Sequence, residues 1–146
     1  MEHRDRGETL LELLITVAVM GIALVAIVGG LGTAILVSDI HRKQATAGAA
    51  VRDYAETVEA WVAAGHYDAG GAPNYTAATV HYTAPGGYTA APVSVSCWRS
   101  GSWQSCATDQ GLQQLTLRVA SADGRADERL VVVLRKPCRQ GDPLCA

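Results

Sequence analysis

One stretch constrains this chain more than any other: Leu13 to Val37 is an uncharged run of about 25 residues, against the roughly 20 that an α-helix needs to cross the hydrocarbon core of a bilayer. It reads as a membrane-spanning helix. The apolar core of a secretory signal peptide, about 7 to 15 residues, is much shorter. The border of the run is Arg6-Gly7-Glu8-Thr9-Leu10-Leu11-Glu12-Leu13-Leu14, which sets a carboxylate among leucines at the mouth of the span. An ionisable group in that position is a functional hypothesis by default and calls for a partner. The local alternative is a capping box, Thr9-x-x-Glu12, in which both side chains satisfy free amides at a helix start. That alternative leaves unexplained why an acid should begin a bilayer span.

The string Gly7-Glu8-Thr9-Leu10-Leu11-Glu12-Leu13-Leu14-Ile15-Thr16-Val17-Ala18-Val19-Met20-Gly21-Ile22 closely resembles the N-termini of type IV pilins and of the pseudopilins of type II secretion. In that family a short basic leader ends in glycine, a prepilin peptidase cuts after it, the new amine is methylated, and the fifth mature residue is glutamate. The resemblance implies a leader at residues 1–7, cleavage between Gly7 and Glu8, N-methylation at Glu8, and a filament-assembly role for Glu12. Thr9, Leu10 and Gly21 also fall where the family has them. Glu8 departs, standing where phenylalanine is usual. The resemblance covers roughly the first third of the chain.

Within the span, Gly29, Gly30 and Gly32 lie beside Thr33 and Ala34. Small residues four apart let helices approach closely in lipid, and each glycine weakens the helix by up to about 1 kcal/mol relative to alanine. Both effects suit a helix that packs on copies of itself and bends or locally unwinds. Ordinary glycine use in membrane helices is the competing reading.

The 146 residues allow the span and one small domain. A net charge of −2, with 12 Lys/Arg and 14 Asp/Glu, supplies no basic field for nucleic acid. Arg4 and Arg6 before the span balance Arg42 and Lys43 after it, so the charge rule does not orient it. The four cysteines do: in a small domain behind a membrane helix they point to an oxidising, extracytoplasmic compartment.

The expected organisation is a leader at 1–7, a transmembrane and assembly helix at 8–38, and an extracytoplasmic part at 39–146. Ile40, Ala47, Val51, Tyr54, Val58, Trp61 and Val62 recur at helical spacing, so an amphipathic helix is expected over 39–64, with Gly65 as its stop. Residues 65–92 read as a loop-rich connection with one short strand at Thr79 to Thr83. His66 and His81 there lack a second ligand at metal-site spacing.

Residues 93–146 read as sheet. Val93, Val95 and Cys97 alternate before a turn at Ser100-Gly101, and a four-residue loop from Ser100 to Trp103 sets Cys97 opposite Cys106. Trp98 and Trp103 near that tip either meet a partner or cover the core. Leu115, Leu117 and Val119 alternate, as do Leu130, Val132 and Leu134. A two-residue Asp123-Gly124 turn between them pairs Leu117 with Leu130 and Leu115 with Val132. It also sets Arg118 against Arg129. Of the three pairings that four cysteines allow, the short loops favour Cys97 with Cys106 and Cys138 with Cys145. The second resembles the closed loop near the C-terminus of many pilins. The acids Asp109, Asp123, Asp127, Glu128 and Asp142 show no calcium-loop order.

No nucleophile elbow, phosphate-cradling glycine loop or HExxH pair occurs, and no enzymatic role, metal or cofactor is expected. The expectation is an α+β subunit, a long N-terminal helix on a small antiparallel sheet, that polymerises into a type IV pilus-like or type II secretion pseudopilus-like filament. Its expected partners are the membrane, a prepilin peptidase and other pilin-like subunits. The alternatives are a minor or tip subunit of the same machine, and an uncleaved single-pass surface-binding protein.

Overall fold

The computed structural model describes residues 5–69 and 74–138, with side chains from residue 10 onward. The chain forms two compact units, Met1–Asp39 and Ile40–Ala146. One helix, α1 (Asp5–Ala63), supplies the described part of the first unit and the opening of the second. Four strands follow: β1 (Tyr88–Arg99), β2 (Ser102–Gln104), β3 (Leu112–Ser121) and β4 (Asp127–Arg135). They make one antiparallel sheet in the order β2-β1-β3-β4.

In the first unit every described residue from Leu10 to Ser38 is exposed, large aliphatic side chains included. Its two central threonines turn their hydroxyls back onto the helix, Thr16 Oγ1 donating to Glu12 O at 2.7 Å and Thr33 Oγ1 to Gly30 O at 2.8 Å. That hides their polar atoms within an apolar surface.

In the second unit, α1 turns Ala47, Ala50, Val51, Tyr54, Ala55, Val58 and Val62 onto the sheet, and Arg52, Asp53, Glu56 and Glu59 to solvent. This stripe shares one core with the inner sheet row of Leu115, Leu117, Val119 and Leu134, all buried. The helix ends in a Schellman motif: Gly65, at φ 100°, donates to Val62 O at 2.9 Å, and His66 N–H donates to Trp61 O at 3.3 Å. The His66 ring then stacks on Trp61 with centroids 3.9 Å apart, which is the side-chain contact this cap favours.

The β3–β4 pairing has Leu117 opposite Leu130, Leu115 opposite Val132 and Arg118 opposite Arg129, the register expected from the alternation. Its connection is longer than a two-residue turn. Ser121 N–H donates to Ala126 O at 2.9 Å and Gly124 N–H to Ser121 O at 3.0 Å, so four residues, Ala122 to Arg125, form the loop. The register is unchanged because two residues were added symmetrically. The two facing arginines share one acid: Arg118 grips Asp127 through two 2.8 Å hydrogen bonds, and Arg129 Nε lies 3.8 Å from the same carboxylate.

Three further expectations are corrected. No strand forms at Thr79 to Thr83. Residues 77–81 turn, with Val80 N–H donating to Thr76 O at 3.1 Å and Tyr82 N–H to Ala77 O at 2.8 Å. A left-handed His81, φ 58°, reverses the chain so that Val80 and Tyr82 both reach the core, and Tyr82 donates its hydroxyl to Ala50 O at 2.9 Å. Burial thus produces an alternation that looks like a strand without a ladder.

The sheet also begins at Tyr88 rather than Val93. A bulge at Val93, between Pro92 and Ser94, shifts the side-chain phase so that Tyr88 and Ala90 share the inner face with Val95 and Cys97. Proline is tolerated at such a bulge, where the ladder is already interrupted. Finally, the β1–β2 turn has two residues, not four. Ser100 and Gly101, at φ 51° and 82°, are both left-handed, as a tight hairpin requires, and Cys97 faces Gln104 instead of Cys106.

The loop before β1 is anchored by a buried polar network. Gln113, fully buried on β3, donates to Asp68 O at 2.7 Å and Asp109 Oδ2 at 2.6 Å, and accepts from Tyr75 Oη at 3.1 Å. Tyr67 Oη donates to the same Asp109 oxygen at 2.8 Å, and Tyr54 Oη to Tyr75 O at 2.6 Å. Burial pushes the Tyr54 and Tyr75 hydroxyls up to about 12, so both stay donors at neutral pH.

At the other end of the sheet, Lys43 on α1 ion-pairs with Asp123 in the β3–β4 loop. Hydrogen bonds from Lys43, then Ser121 and the Arg125 N–H, hold the Asp123 carboxyl well below the usual carboxylate range. The unfolded chain therefore takes up this proton first, near pH 4, so the stabilisation is complete above about pH 4 and declines as pH falls further. Acid unfolding curves should show this decline in the native chain and a flatter profile below pH 4 in Asp123→Asn.

Candidate functional site

The site that the sequence singles out is the head of α1. The backbone is already helical at Asp5, four residues before Thr9, so Thr9 lies inside the helix and is not an N-cap. In the uncut chain the capping-box reading of Glu12 therefore has no helix start to act on, whereas a chain beginning at Glu8 would provide one. Glu12 is exposed, and its carboxylate makes no hydrogen bond or ion pair with any other described residue. The residues that follow it offer only aliphatic surface, and an 18-residue window of the helix has a mean hydropathy of 2.7 with none of it buried. This helix is long and apolar enough to cross a membrane. In hydrocarbon a lone carboxylate is costly, so an opposite charge brought beside Glu12 would be favoured there.

The glycines further along carry no intramolecular load. A methyl group placed on Gly29, Gly30 or Gly32 would meet no atom within 4 Å. Gly29 and Thr33, and Gly30 and Ala34, are spaced four apart and present a surface of small residues suited to another helix.

In the second unit, Cys97 and Cys106 form a disulfide with a Cα separation of 4.9 Å. Cys106 reaches Cys97 from two residues past its ladder partner, Gln104, so the link belongs to the segment after β2 rather than to a facing pair. Cys138 is also disulfide-bonded. Cys145, its expected partner, lies outside the described residues. Trp98 and Trp103 face each other across the β1–β2 hairpin, edge to face with centroids 5.2 Å apart. Trp98 is exposed and Trp103 half-buried. The two histidines of the connecting loop both pack on Trp61, His66 flat and His81 edge-on.

Sequence reasoning passed over Gln113 and weighed Asp109 only as a calcium ligand, whereas the two tie the loop to the sheet. The signal was present: Gln113 shares the phase of Leu115, Leu117 and Val119 and so points inward. A polar residue in an inward row needs partners, of which Asp109 is near in the chain while Asp68 and Tyr75 come from the distant loop.

Residues 3–28 match the family model of the prokaryotic N-terminal methylation motif, the signature of type IV pilin and pseudopilin precursors. The match contains Gly7, Glu8 and Glu12. Together with an apolar N-terminal helix followed by a four-stranded antiparallel sheet, it defines a pilin-like α+β chain. Neither a curated protein nor a solved structure is significantly similar to the chain.

Proposed function

We propose that this protein is a structural subunit of a type IV pilus-like or type II secretion pseudopilus-like filament. Prepilin peptidase removes residues 1–7, the helix at 8–38 anchors the chain and then drives polymerisation, and residues 39–146 lie outside the cytoplasm. The observation that carries this reading is a Glu12 without a partner among the described residues, at the head of an exposed apolar helix and inside the matched methylation motif. The new amine, at Glu8, lies about one helical turn from Glu12 and supplies the opposite charge that a neighbouring subunit's Glu12 requires. The Cys97–Cys106 disulfide supports an oxidising compartment for the sheet.

The reading is tested by coexpression with an active prepilin peptidase. Intact-mass analysis should find a chain beginning at Glu8, and Gly7→Val should leave it uncut. A native chain that keeps residues 1–7 under those conditions would support an uncleaved anchor instead.

A further inference from the structure

The sheet end away from Lys43 carries a second feature, which goes beyond the filament reading and does not depend on it. Trp98, Leu112, Arg135 and Lys136 line an open cavity of about 350 Å³. Leu112 is paired with Arg135 across β3 and β4, so an apolar side chain and a guanidinium are held side by side on rigid strands. Trp98 is fixed from behind by its edge-to-face contact with Trp103, in a hairpin closed by a left-handed turn and adjoining the Cys97–Cys106 disulfide. Arg135 is exposed and makes no ion pair or side-chain hydrogen bond with any other described residue. Val131 and Val133 on β4, 52% and 53% exposed, continue the apolar surface away from the cavity.

We propose that this cavity is a docking site for an acidic, apolar peptide segment of a partner protein, a carboxylate pairing with Arg135 while the adjacent aliphatic side chain packs on Trp98 and Leu112. The charge selects the carboxylate, because a guanidinium matches it with two parallel hydrogen bonds. The lining favours a peptide over a sugar acid: among the described residues it offers, beside the cations, one carboxamide, Gln110, with Gly111 and the disulfide-bonded Cys138, and otherwise the Trp98 indole and Leu112, which suits a leucine better than a ring of hydroxyls.

The test uses the full chain in detergent micelles and follows the Trp98 indole N–H resonance, assigned with Trp98→Phe. The probes are acetylated leucyl-glutamyl-leucinamide, its glutaminyl counterpart, and glucuronate. The glutamyl peptide should shift the resonance saturably. The glutaminyl peptide, and the glutamyl peptide on Arg135→Ala, should each bind about tenfold more weakly, the loss expected for one charge-assisted hydrogen-bonded pair. Equal binding of the two peptides, unchanged binding by Arg135→Ala, tighter binding of glucuronate, or no saturable shift would overturn the proposal.

Discussion

Glu12→Gln and Glu12→Val should each enter the membrane at native levels, keep a folded sheet, and yet be lost from filaments. The unit that folds around β1–β4 makes no use of Glu12, so its stability has no reason to change. Membrane insertion becomes easier when a charge leaves an apolar helix. Assembly is different, because the amine of a neighbouring processed subunit would then enter an apolar contact without its counter-charge. A lone charge at the centre of a bilayer helix costs roughly 3 kcal/mol on insertion scales, about a hundredfold in an equilibrium constant. Repeated at every step of a polymer, that deficit is expected to abolish incorporation. Glu8→Phe, which restores the residue usual in the family, should be tolerated. The check is to express each variant as the sole copy, equalise membrane levels, and measure the protein in sheared filaments. Normal incorporation of both Glu12 variants would remove the residue-level case for polymerisation.

The second large effect concerns the core. Leu117 is fully buried in the middle of β3, with Pro92 and Leu130 as its ladder partners and α1 packed over the row. Leu117→Ala removes buried methyl groups from a site walled on both sides by backbone that cannot collapse, so the loss should be roughly 2 to 5 kcal/mol. Val131→Ala on the opposite face of the sheet is the control, with a change within about 0.5 kcal/mol. Denaturant unfolding of the full chain in detergent, followed through the fluorescence of Trp61, Trp98 and Trp103 together, measures both. Equal effects of the two substitutions would mean that the helix does not cover the inner row.

Much of this fold is written in simple periodicities. The alternation of Leu115, Leu117 and Val119 with Leu130, Val132 and Leu134 fixes two strands and their register, because a one-residue slip would turn every leucine to solvent. The helical stripe from Ala47 to Val62 marks the face that covers them. What escapes a reading by pattern depends on contacts distant in sequence. Tyr88 to Pro92 contains alanines and a proline, weak strand formers on their own, and they join the sheet because β3 offers a ladder and the Val93 bulge corrects their phase. Val80 and Tyr82 mimic a strand because both are buried, while the left-handed His81 between them is invisible in the alternation.

The head of α1 is legible for a different reason. Its signal is linear, a glycine and an acid at fixed spacing ahead of an apolar run, so order alone identifies the string. The cavity beside Trp98 is the opposite case. The alternation pairs Leu112 with Arg135, but no spacing rule brings Trp98 of β1 beside them.

The central claim is that this chain is processed after Gly7 and built into a filament. The most direct measurement is intact-mass and N-terminal analysis of the protein recovered from sheared, purified filaments of cells that express it with their own prepilin peptidase. The account requires a chain that begins at Glu8 in the filament fraction. A chain that is absent from that fraction while abundant in membranes, or that still carries residues 1–7, would contradict it.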